Sequence, residues 1–198
     1  MSDAAILDFA RRHLAALDAL PILPPLRLKP FEEGCVWLFG HRYPLKTAIG
    51  TSPRVWLKDD TVHVQSKEDD IEAYAAALER FCKQLLGREA QAIAEALQER
   101  HPALPAEVKI FPRRMETRFG SCTPSRRRVR VNLALIHYPR TCLEYVVAHE
   151  MSHLLHPDHS RAFYDTLAKL CPDFRAREKD LKRRHAAFTR ASDKTAPL

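Results

Sequence analysis

The segment Val146-Val147-Ala148-His149-Glu150-Met151-Ser152-His153-Leu154-Leu155-His156-Pro157-Asp158-His159 constrains this chain more than any other. It carries the pattern HExxH as His149, Glu150 and His153. On an α-helix, residues four apart lie about 40° apart around the axis and one turn along it. Two imidazoles at that spacing reach one metal ion from the same face. Glu150, about 100° round from His149, is placed to polarise a water at the ion without ligating it. This is the logic of zinc hydrolases. The bland alternative is a pair of ordinary helix-face histidines. The apolar flanks weigh against it, because unpaired polar groups on a buried helix cost several kcal/mol each and ligation removes that cost.

A catalytic zinc keeps three protein ligands and one open position. His156 and His159 both lie downstream. Pro157 disfavours a helical backbone at His156, so the helix is expected to end there and the chain to turn back. His159 then approaches the ion from outside the helix and is the favoured third ligand. His156 is the alternative; it requires the helix to persist through a pre-proline residue, and otherwise reads as an exposed C-cap. His159 stands six residues after His153, as in the metzincin pattern HExxHxxGxxH. The glycine of that pattern is His156 here and no methionine turn is evident, so metzincin membership is not supported.

The rest of the chain is an ordinary globular sequence. Of 198 residues 45% are apolar and 29% charged, which excludes wholesale disorder and fits one domain, or one with a small lobe. No apolar run approaches the roughly 18 residues of a membrane span. The start, MSDAAILDFARRHLAALDAL, reads as an amphipathic helix and not as a secretory signal. Five widely spaced cysteines without a CxxC pair suggest neither a disulfide framework nor a zinc ribbon. A reducing, cytoplasmic location is expected.

The pattern divides the chain into four parts. Residues 1–25 read as an N-terminal helix, about 3–20, and a Pro-rich connector. Residues 26–68 read as a small antiparallel β-meander, with a tight turn at Gly40-His41-Arg42 and a hairpin turn at Lys58-Asp59-Asp60-Thr61. Trp37 and Trp56 are expected in its core. Residues 69–190 hold a long helix over 69–100, which Gly87 bends or breaks, then strands at Val108–Phe111, Met115–Cys122 and Val129–Leu133. The last two pair as a hairpin. Helices follow at Thr141–Leu155, Ser160–Leu170 and from Asp173 towards Phe188, with Ser160 and Asp173 as N-caps. Residues 191–198 read as a tail.

The chemistry-bearing stretch resembles the YgjP-like zincin metallopeptidases, relatives of the SprT-like proteases. The resemblance rests on Arg118-Phe119-Gly120-Ser121-Cys122, on Val129-Arg130-Val131-Asn132, and on the HExxH segment from Tyr145. It continues through Asp158-His159-Ser160, Phe163-Tyr164 and Leu170-Cys171-Pro172-Asp173-Phe174-Arg175-Ala176-Arg177, and Leu38 to Lys46 also fits. Phe119 stands where the family has Trp and Asp158 where it has Asn, while the first 25 residues show no counterpart. The resemblance implies an α+β zincin-like metallopeptidase fold: a small antiparallel sheet packed with the HExxH helix, preceded by the meander. It also implies hydrolysis of protein or peptide substrates, held along a strand edge by main-chain hydrogen bonds. Zn2+ on His149, His153 and His159 and Glu150 as general base complete this reading. Tyr164, Arg161 and His156 are nearby candidates for an oxyanion donor, none selected by the sequence. Cys122 reads as a small buried hydrophobe and not a nucleophile.

A different class of function competes. Lys and Arg number 32 against 25 Asp and Glu, a formal charge of +7. Arg126-Arg127-Arg128 with Arg130, and Lys182-Arg183-Arg184 with His185, form two basic clusters that could give a weak nucleic-acid association. Solvated surface is the plainer reading of both. A metal-binding scaffold without turnover is a third possibility, which the presence of Glu150 weighs against.

Overall fold

The computed structural model of the chain describes residues 30–193. The expected N-terminal helix and Pro-rich connector, the first residues of the meander lobe and residues 194–198 of the expected tail lie outside the described residues. By compactness residues 30–82 and 184–193 make one unit, and Lys83–Arg183 makes the other.

The first unit carries a four-stranded sheet: β1 (Cys35–Leu38), β2 (His41–Ile49), β3 (Arg54–Lys58) and β4 (Thr61–Ser66). Its order is β1-β2-β4-β3, with β2 and β4 parallel and the other pairs antiparallel. The expected antiparallel meander is therefore corrected to a mixed sheet. Burial explains the change. Val62 and Val64 of β4 are fully buried and take a central place, whereas β3, with Arg54 and Lys58 exposed, is left at the edge. Both hairpins use two-residue turns with positive φ at each residue, the type I′ signature: Phe39-Gly40 (49°, 87°) and Asp59-Asp60 (47°, 54°). The first turn sits one residue earlier than expected. Trp37 and Trp56 are half-buried and not core; Trp56 stacks on His63 at 5.1 Å between centroids.

Helix α1 (Ile71–Arg100) starts where the Asp70 carboxylate accepts the Ala73 N–H at 2.9 Å. Gly87 does not break it. A Cβ at Gly87 would stand 3.3 Å from Pro112 Cγ, so its bare backbone lets the next strand come close. That strand, β5 (Lys109–Arg113), forms a second sheet with β6 (Gly120–Thr123) and β7 (Arg128–Asn132), in the order β5-β7-β6. The expected β6–β7 hairpin is antiparallel, but β5 runs parallel to β7, so this sheet too is mixed and not antiparallel. Residues 115–119 are not strand. The Asn132 side-chain amide donates to the Met115 and Arg118 carbonyls at 2.8 Å each and holds that stretch as a loop.

The two edges of this sheet differ. On the outer side of β5 the Gln91 amide of α1 donates to the Val108 carbonyl and accepts the Ile110 N–H, both at 3.1 Å, as a neighbouring strand would. On β6, the Phe119 carbonyl accepts from Asn132 N–H, so by alternation the peptide groups of Gly120 and Cys122 face away from β7.

Three helices follow: α2 (Arg140–Ser152), α3 (Arg161–Leu170) and α4 (Phe174–Asp193). Residues 191–193 thus continue a helix where a tail was expected. Leu143, Val147 and Met151 of α2 are fully buried. The start of α2 is held by an ion-pair network: Arg140 bonds buried Glu89 of α1 at 3.0 Å and also Glu144, and Arg177 bridges Glu144 and Asp173. Within the described residues every cysteine is free, and no helix is long and apolar enough to cross a membrane.

Candidate metal centre

Helix α2 stops at Ser152, three residues before the expected end. The following N–H groups of Leu154 and Leu155 bond three residues back, to Met151 and Ser152, so the last turn tightens ahead of Pro157. His149 therefore sits in the last turn of α2 and His153 at its C-cap. The chain then turns back, and Asp158 fixes the turn by accepting from Ser160, which holds its carboxyl below the usual range. Ser160 occupies the N-cap of α3, but its side chain makes no capping bond.

This turn brings His159 over α2. His149, His153 and His159 each offer a ring nitrogen, and the three lie within 4.8 Å of one another. His149 Nε2 and His159 Nε2 face each other at 3.2 Å. Nitrogens about 2.0–2.1 Å from a common tetrahedral ion stand about 3.3–3.4 Å apart, so the spacing fits. The tautomers fit as well. His153 Nδ1 lies 3.1 Å from the His156 carbonyl, and donating there leaves Nε2 with its lone pair free. Burial first, then His153 and His159, push His149 down to about 4, which keeps it neutral as a ligand must be. His149 Nδ1 is buried without a hydrogen-bond partner.

One apolar side chain holds the group together. Phe163 of α3, fully buried, packs against the rings of His149, His153 and His159 at 5.0, 4.6 and 4.7 Å. His156 is not in the group. Its Nε2 lies 3.0 Å from Thr166 Oγ1 on α3, and it serves the site through its carbonyl.

The imidazoles open on a cleft of about 570 Å³, walled by β6 on one side and α2 on the other. Glu150 lines it, and burial, opposed by the charge of Arg118, pushes its carboxyl up to about 7. The carboxylate lies against β6 where Gly120 has no side chain: a Cβ there would stand 2.6 Å from Glu150 Oε1. Only glycine leaves that space. Cys122 also lines the cleft, and burial together with the Glu150 charge pushes its thiol up to about 12, so it is no nucleophile at ordinary pH.

The oxyanion candidates named from sequence fare differently. Arg161 is exposed and pairs with Asp165, while Tyr164 stacks on Phe174 and stays outside the cleft. Arg118, Ser121 and Tyr145 are polar side chains that sequence reasoning gave no role, and all three line the cleft. Arg118 precedes Gly120 by two residues, the one sequence signal that could have placed it there.

A family model for the YgjP-like metallopeptidase domain matches residues 5–184. The chain belongs to the YgjP-like family. The match takes in most of the first 25 residues, which the motifs had left without a counterpart. No curated protein matches the sequence. A YgjP-like metallopeptidase domain of α+β architecture, with three histidines able to hold a metal ion, is thus established for this chain.

Proposed function

We propose that the protein is a zinc-dependent peptidase, with His149, His153 and His159 holding the ion and Glu150 as general base. The observation that carries this reading is the convergence of three imidazoles, 3.2 Å apart at the closest nitrogens, beside a buried carboxylate one residue along. The nitrogen-only donor set suits zinc. When bound, the ion supplies a Lewis acid for the scissile carbonyl and for the attacking water.

The chain's own residues do the rest. Glu150, buried and in no ion pair among the described residues, takes the proton of the attacking water and passes it to the leaving amine. The outward peptide groups of Gly120 and Cys122 hold an extended substrate as an added strand along β6. Arg118 and Tyr145 are the donors within reach of developing negative charge in the cleft. Free cysteines, most of them buried, suit a reducing compartment such as the cytoplasm.

The test combines metal analysis with hydrolysis of an unstructured protein such as casein. Protein purified without chelator should hold about one zinc per chain, and His159→Ala should lose most of it. Glu150→Gln should keep the zinc and lose at least about 100-fold in hydrolysis. A Glu150→Gln variant as active as the parent would overturn the mechanism.

A further inference from the structure

The two basic clusters seen in the sequence are not alike in the fold. On α4, Lys182 pairs with Glu178 and Arg183 with Asp180, each at 2.6 Å, so two of that cluster's three Lys and Arg cations are compensated on their own helix. The cluster on β7 has no such compensation. In the β5–β7–β6 sheet, Ile110, Val129 and Val131 point into the core, so Lys109, Phe111 and Arg113 of β5 and Arg128 and Arg130 of β7 share the opposite, exposed face. The register sets Lys109 beside Arg128 and Phe111 beside Arg130. None of the three strands contains an Asp or Glu, and none of these cations makes an ion pair among the described residues. Like charges set side by side on a sheet cost stability, so the arrangement calls for an anionic partner.

Phe111 identifies the kind of anion. Its ring is 38% exposed amid these cations, and the Arg128 guanidinium lies 5.6 Å from its centroid. A flat sheet face that offers an aromatic ring and a guanidinium plane between cations matches a strand whose bases are free to stack while its phosphates are neutralised. A duplex hides its base faces. An acidic peptide would use the cations and leave the ring idle.

We propose that the outer face of the β5–β7–β6 sheet binds single-stranded nucleic acid, with Phe111 and Arg128 stacking on bases and Lys109, Arg113 and Arg130 meeting phosphates. This is a binding property separate from peptide hydrolysis, and it is read without any substrate turnover. Its failure would leave the peptidase reading standing.

The experiment is fluorescence anisotropy of labelled dT20 with the full chain at 50 and 200 mM KCl, with U20 in parallel. Binding of dT20, U20 or both supports the proposal, and a preference between them separates DNA from RNA. Three phosphate contacts, at a slope of about 0.7 each for a single strand, predict a weakening of about 20-fold across that salt step. Arg128→Gln with Arg130→Gln should weaken binding at least about tenfold and flatten the salt dependence. Phe111→Ala, at an exposed site where misfolding is not expected, should weaken binding about tenfold with the salt dependence unchanged. Lys182→Gln with Arg183→Gln should bind like the parent. Absence of binding at 50 mM KCl, or a double β7 variant that binds like the parent, would overturn the proposal. So would a 20-base-pair duplex bound as tightly as dT20, an unaffected Phe111→Ala, or competition by polyglutamate equal to that of unlabelled dT20.

Discussion

The candidate metal centre has two halves of different construction. His149 and Glu150 project from the last turn of α2 and His153 from its helical C-cap, on a helix that keeps Val147 and Met151 fully buried. His159 comes from an exposed loop after the helix has ended. In the first half the backbone alone sets the spacing, because i and i+4 share a face in any helix. In the second half nothing in the local backbone aims the ring. Its position depends on the Asp158–Ser160 turn and on Phe163, which packs against the ring. A metal site can thus take two ligands from periodicity, but the third has to be built.

Substitutions that act on one half at a time would sharpen this contrast. The largest effect is expected where the halves meet. Phe163→Ala should open a cavity under all three rings and cost about 3–5 kcal/mol of stability, read by urea unfolding. Next comes the helix half. Gly120→Ala forces the Glu150 carboxylate aside, so hydrolysis should fall about 100-fold while zinc content stays at the parent level. Zinc lost along with activity would mean that Gly120 supports the ligands and not the base. On the loop side, Asp158→Ala removes the acceptor for Ser160 and should weaken zinc affinity about tenfold in a chelator competition, with little change in unfolding. The smallest effect belongs to His156→Ala, which keeps the carbonyl and loses only the Thr166 contact. It should leave zinc stoichiometry unchanged and cost about 1 kcal/mol. A fall in zinc to near zero would make His156 a ligand and undo the division between helix and loop.

The same distinction accounts for what could be read from the sequence. Helices α2 and α3 and the β6–β7 hairpin were legible because local periodicity and turn residues specify them. The early stop at Ser152 was not, since tightened bonds beyond the helix depend on how the chain approaches Pro157. A parallel pairing was missed in each sheet, β2 with β4 and β5 with β7. The directions of β2, β3 and β4 follow from their turns, but the insertion of β4 between the other two depends on the full burial of Val62 and Val64 on one face. Histidine spacing pointed to His159 over His156, whereas the contact between Gly120 and Glu150 joins residues thirty positions apart and leaves no local trace. Phe163 belonged to the quoted family pattern, yet only its three ring contacts reveal what it does there.

The Gln91 amide has a consequence for the fate of the protein in a crowded solution. An open strand edge is a template on which other chains can add, and a three-stranded sheet has two such edges. By bonding Val108 and Ile110 as a strand would, Gln91 blunts the β5 edge with a single side chain. Within this sheet the exposed template is thereby confined to β6, beside the cleft. On the proposed reading, self-association and substrate capture compete for that edge of the sheet, and loss of the Gln91 amide would open its other edge to aggregation.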